Sequence, residues 1–117
     1  MARAGPEATV FLKRGLDIER AKRCGRRIPT AQFNMVIASG GVVRTQFAVI
    51  VGRKFGPATR RNRAKRRLRE LIRSVEARLV PHYHVLIFPK SPVVTGTFAS
   101  LKQVWESLLL REGILRA

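Results

Sequence analysis

The sequence predicts a small α/β (α+β) two-layer sandwich, its elements in the order αββαβα around one sheet. Three observations carry that expectation. Residues 33–39 and 45–51 set Phe33, Met35 and Ile37, and Phe47, Val49 and Val51, on single faces at a period of two, and 83–88 (YHVLIF) is almost continuously apolar. Two stretches, 59–79 and 97–111, hold apolar stripes at helical spacing. The 117 residues allow one domain, and 45% hydrophobic content is ordinary for a packed fold.

Residues 1–10, with Gly5 and Pro6, read as a flexible lead-in, and 11–117 as a single domain. A first basic helix is expected over 11–24, with Leu12, Leu16, Ile18 and Ala21 as an imperfect apolar stripe and Gly25 as the residue that follows its end. The segment 26–30 (RRIPT) is a turn or short edge piece. In the strand over 33–39, Phe33, Met35 and Ile37 share one face, and Asn34, Val36 and Ala38 the other. Gly40-Gly41 would reverse the chain, so the strand over 45–51 should pair with it as a hairpin. Its Phe47, Val49 and Val51 oppose Ala48 and Ile50.

After Gly56 and Pro57 comes the central helix, expected over 59–79 with Thr59 as N-cap and a stop before Pro81. Ala64, Leu68, Leu71, Ile72, Val75 and Leu79 form its apolar stripe. The run 83–88 is a third strand, central in the sheet because both of its faces are apolar. The last helix places Phe98, Leu101, Val104, Trp105, Leu108 and Leu109 on one side.

Charge is the outlier. Twenty-four Lys and Arg against seven Asp and Glu give +17, a field that attracts polyanions. The excess concentrates in 54–73, where Glu70 is the only acid. Arg60, Arg61 and Arg63 crowd the start of the central helix, where the macrodipole disfavours each cation by about 0.3–1 kcal/mol. Lys65, Arg66, Arg69 and Arg73 continue along one arc. An external phosphate backbone resolves the conflict, taking the free N–H groups and the guanidinium forks together. Arginine richness without balancing acids favours nucleic acid over a merely solvated face.

This stretch resembles the protein subunit of bacterial ribonuclease P. The family run Lys-x-Gly-x-Ala-x-x-Arg-Asn-Arg-x-Lys-Arg-x-x-Arg-Glu is matched by Lys54, Gly56, Ala58, Arg61, Asn62, Arg63, Lys65, Arg66, Arg69 and Glu70. A weaker resemblance extends over about residues 12–90. It implies a four-stranded, mainly antiparallel sheet, with a short extra strand near 27–29 and a left-handed βαβ crossover around the central helix. The general rule for such crossovers gives the other hand. It also implies a ribonucleoprotein endonuclease in which the RNA, with Mg²⁺, cleaves the 5′ leader from precursor tRNA. The partners are then ribonuclease P RNA and precursor tRNA. Lys54, Arg61, Asn62, Arg63, Lys65, Arg66 and Arg69 would meet the catalytic RNA, with Arg60 and Arg73 adjoining. A leader groove between the first helix and the sheet would be faced by Ile18, Lys22, Asn34, Val36, Ala48 and Ile50, with Lys90 at its rim. Here the chain departs from the family, which has aromatics at or near Ile18 and Lys22 and a small Ser where Ile50 stands. An aliphatic groove would lose part of the stacking contribution and lean on charge.

The residues by themselves point away from catalysis. Glu7, Asp17, Glu19, Glu70, Glu76, Glu106 and Glu112 are scattered, so no pair presents itself to a shared metal. His82 and His84 would share a strand face but lack a third ligand. Ser39, Ser74, Ser91, Ser100 and Ser107 lack a nucleophile motif, and there is no glycine-rich nucleotide loop. Cys24 is single, which excludes a disulfide framework and leaves a free thiol. No apolar run approaches the roughly 20 residues of a membrane span, and the N-terminus lacks a signal peptide, so a cytoplasmic protein is expected. The alternative reading is a structural RNA-binding protein such as a ribosomal component. A DNA-binding module would need a short helix and turn before the central helix. A membrane-surface helix would need the apolar stripe that the core requires.

Overall fold

The computed structural model describes residues 9–39 and 43–116, and within them four strands form one sheet. Helix α1 (Gly15–Cys24) precedes strands β1 (Arg26–Pro29), β2 (Phe33–Ser39) and β3 (Gln46–Val49). Helix α2 (Ala58–Val75), strand β4 (Tyr83–Pro89), the short α3 (Pro92–Thr95) and α4 (Phe98–Arg111) complete the chain. The spatial order is β1-β2-β4-β3. β1 pairs β2 and β2 pairs β4 antiparallel, whereas β3 lies parallel to β4 with α2 as the connection.

The strand order overturns the expected hairpin. Among the described residues β2 and β3 share no pairing, because β4 is inserted between them. The physical reason is burial. Val85 and Ile87 on one face of β4 and Leu86 on the other are fully buried, and only an interior strand covers both faces. The Gly40-Gly41 reversal lies outside the described residues.

Period-two alternation divides the core as expected. Phe33, Met35, Ile37, Phe47, Val85 and Ile87 point to the side occupied by α2, α3 and α4, where they meet Leu68, Leu71, Ile72 and Val75. Trp105 of α4 closes this core, its ring 5.9 Å from Phe33 in an edge arrangement and 5.6 Å from Phe47. Val36, Ala38, Ala48 and Leu86 face the other way, where α1 contributes Ala21, with Leu12 just before it. Thus α1 stands alone on the second face, a partial third layer beside the two-layer core.

Local corrections have local causes. α1 starts at Gly15 rather than residue 11, because the chain before it is used as backbone. Phe47 donates its N–H to Val10 O and Leu12 donates to Phe47 O, both at 2.8 Å, covering part of the outer edge of β3. Val10 is buried in the main core. Gly25 ends α1 as expected, in extended conformation (φ −78°), and its lack of a side chain matters because a Cβ there would sit 2.3 Å from Val36 Cγ1. α2 begins one residue early at Ala58 with Pro57 in the N-cap position, so Thr59 is not the cap. It ends at Val75 and passes into a 3₁₀ turn over Glu76–Arg78, and Leu79 then bridges to Leu115. Gly56, at φ +147°, closes a 3₁₀ turn over Arg53–Phe55 just before α2.

Candidate nucleic-acid interface

The outer arc of α2 is built from a helix with no side-chain N-cap. Pro57 supplies none, and the 3.0 Å bonds from the Arg60 and Arg61 N–H groups to its carbonyl are the first turns of the ladder. The N–H groups of Ala58 and Thr59 therefore remain for an external acceptor. Two arginines there are held by their neighbours. Arg61 Nη1 donates to Gly56 O at 2.8 Å, and the Arg60 guanidinium lies over the Phe55 ring at 5.6 Å. Lys54, on the preceding turn, is exposed.

From there the helical repeat sets Asn62, Lys65, Arg66, Arg69, Glu70 and Arg73 along one shallow groove of about 560 Å³. Arg63 is exposed beside it. Among the described residues, no ion pair reaches Lys54 or any cation of α2; the carboxylates of Asp17, Glu19, Glu76 and Glu112 pair with other residues. Arg67 is turned elsewhere. Its Nη1 donates to Val93 O at 3.1 Å and Gly96 O at 2.9 Å, bolting α2 to α3. That role depends on a helix that the sequence reading did not include.

A second depression, about 520 Å³, opens between α1, the edge of β3 and α2. It brings Ile18, Ala48 and Ile50 together with Phe11, Lys13, Arg69 and Arg73. Arg69 and Arg73 line both depressions and make a cationic ridge between them. Arg73 is fixed there over the Phe11 ring at 5.2 Å.

The other expected groove residues do not line this depression. Val36 is 3% exposed and forms part of the floor beneath α1. Asn34 is exposed further along β2. Lys22 pairs with Glu19 at 3.3 Å on the surface of α1. The Lys90 ammonium is drawn 2.6 Å from Thr30 O and ties the end of β4 to the β1–β2 turn. The sequence reading missed Phe11 and Lys13, which line the depression. Phe88, two residues beyond Leu86, takes the α1 side of β4 and packs against the buried cluster there without lining the depression.

The histidines are not a pair on one strand face. His82 precedes β4 at φ +86°, whereas His84 is buried on the α1 side with Nδ1 unpartnered. Burial holds His84 below the ordinary imidazole range, with Asp17 and Arg20 acting on it in opposite directions. Among the described residues, no three His, Cys, Asp or Glu side chains converge as a metal site would need.

Comparison with known proteins follows this geometry. The family model described as Ribonuclease P matches residues 7–113. The chain is 33% identical over 92 residues to the ribonuclease P protein component of Chloroflexus aggregans, covering 78% of this chain and 68% of that protein. To the component from Phytoplasma australiense it is 31% identical, covering 90% and 92%. Among solved structures, the Staphylococcus aureus RNase P protein superposes with a TM-score of 0.79 at 18% identity, covering 92% of this chain and 99% of that one. The Thermotoga maritima RNase P protein gives 0.75 at 24% identity, covering 86% and 96%. These last two likenesses establish the fold. From the family match across 7–113 and the two relatives above 30% identity, the chain belongs to the ribonuclease P protein family.

Proposed function

We propose that this chain is the accessory protein subunit of ribonuclease P, an endoribonuclease of tRNA 5′ maturation. Its α2 arc docks on the catalytic RNA, and the face beside α1 receives the 5′ leader of precursor tRNA. The observation that carries this reading is the ridge of Arg69 and Arg73, free of carboxylate partners, shared by a cationic groove and an aliphatic one. One phosphate backbone can follow the ridge, while a single strand beside it rests its bases on Ile18 and Ile50.

Catalysis belongs to the RNA in this reading. Mg²⁺ belongs with the RNA of the holoenzyme in this reading. The same reading assigns the work to the cytoplasm, where precursor tRNA is made. The test is reconstitution with a bacterial ribonuclease P RNA at low Mg²⁺. Faster cleavage of precursor tRNA on adding the protein is expected. Cleavage indifferent to the protein would overturn the assignment.

A further inference from the structure

Arg67 stands within the cationic run of α2, yet at a position that the family run leaves open. It precedes the fully buried Leu68 and is itself half-buried. Its Nη1 donates to Val93 O and Gly96 O, and among the described residues no backbone N–H donates to either carbonyl. α3 is a single turn, Pro92–Thr95, so the carbonyls at its end depend on an outside donor. A guanidinium supplies that donor as a charge-assisted bond.

The acceptor side of this bond is a fixed point. Val93 and Val94 are buried in the main core, and a Cβ on Gly96 would lie 2.8 Å from Pro92 O. The next residue, Thr97, caps α4. The apolar stripe of α2 cannot by itself fix the roll of the helix about its axis. Burial of Leu68, Leu71, Ile72 and Val75 is non-directional, whereas a hydrogen bond has a direction. A roll of about 20° carries side chains at a radius of about 5–6 Å through about 2 Å, which is enough to break a guanidinium–phosphate bond. Lys65, Arg66 and Arg69 lie within two residues of Arg67, so its bond sets the roll of their turn.

We propose that Arg67 is a positioning residue for RNA docking, one that touches no phosphate and holds α2 at the roll where Lys65, Arg66 and Arg69 meet the RNA backbone together. This role rests on the docking reading of the α2 arc and adds the residue that aligns it. Moving the guanidinium to a phosphate would strip the Val93 and Gly96 carbonyls of their donor, which keeps Arg67 out of the RNA contact.

The test is a double-mutant cycle on affinity for ribonuclease P RNA. Arg67→Met, which keeps an apolar stem and loses the donors, is made in the unaltered chain and in one carrying Arg66→Ala with Arg69→Ala. Affinity should fall roughly tenfold on the unaltered arc and little on the alanine background, where little remains to be positioned. No loss on the unaltered arc, measured below the thermal midpoint of the variant, makes Arg67 a bolt for stability alone and overturns the proposal. An equal loss on both backgrounds makes it a phosphate contact in its own right and also overturns it. If the two alanines leave affinity unchanged, the docking reading of the arc falls, and the proposal with it. Should Arg67→Met unfold, the unaltered protein is labelled with an arginine-selective dicarbonyl, free and RNA-bound, and read by mass spectrometry. Arg66 and Arg69 should lose reactivity on binding while Arg67 stays equally slow in both states. Protection of Arg67 that appears only with RNA overturns the proposal.

Discussion

Helices α2 and α4 cover the same face of the sheet and are built on opposite principles. α4 follows the rules for a stable helix. The Thr97 side chain accepts from Ser100 N at 3.2 Å, Arg111 lies in the last turn, and Leu101, Trp105, Leu108 and Leu109 are buried. α2 buries an equally regular stripe but has no side-chain cap and places three arginines at its positive pole. Both earn their place through packing. Of the two, only α2 carries a run of cations that no carboxylate among the described residues pairs, and such an excess is understood only with an anionic partner present.

The largest predicted effect separates the two helices outright. Trp105→Ala should cost about 3–5 kcal/mol of folding stability by removing the ring against Phe33 and Phe47, read by urea denaturation. Arg66→Ala should stay within about 0.5 kcal/mol of the parent in the same assay, since Arg66 is exposed and makes no ion pair.

Binding should reverse that order. If about six phosphates meet the α2 arc, affinity for ribonuclease P RNA drops roughly a thousandfold between 50 and 200 mM salt. Arg66→Ala or Arg69→Ala should each flatten that dependence by about one phosphate contact, measured as the slope of log affinity against log salt. An unchanged slope would mean that the arc does not face the RNA.

Exchanging the caps sharpens the contrast by smaller amounts. Thr97→Ala should cost about 1 kcal/mol of stability and leave RNA affinity intact. Pro57→Asp gives α2 the cap it lacks, and that gain offsets the lost proline rigidity of about 0.4–1 kcal/mol. Its carboxylate would occupy the N–H groups offered to phosphate, so RNA affinity should fall while the thermal midpoint holds.

The smallest effect concerns His84. Its folded pKa lies below that of the unfolded chain, near 6.5, so the unfolded state binds the proton first as the solution is acidified. The associated stability is complete above about pH 6.5 and is lost as pH falls beneath it, by at most about 1.4 kcal/mol per pH unit. His84→Leu should remove that part of the slope in thermal unfolding between pH 7 and 5.

Where periodicity is local, the chain could be read directly. The bounds of β2, the opposed faces of β2 and β3, and the stripe of α4 all follow from residues within four positions of one another. The hairpin failed because Gly40-Gly41 and two alternating strands are a local cue, whereas pairing with β4 reaches dozens of residues along the chain. The continuous apolar run of β4 already held the answer, since a strand placed centrally beside both neighbours separates them. The groove was legible in part. Ile18, Ala48 and Ile50 converge, but Lys22 and Lys90 are drawn to Glu19 and to the Thr30 carbonyl.

By itself the sequence determined that a regular apolar stripe would carry an arc of cations almost without acids, and so that the arc would seek phosphate. Charge count and helical spacing need no knowledge of distant contacts. Tertiary structure decided which cations stay available. It turned Arg67 onto the carbonyls of Val93 and Gly96, stacked Arg73 on Phe11 and set Arg69 on the ridge between two depressions. A side chain's partner depends on which backbone the fold brings alongside, and strand order, not composition, fixes that.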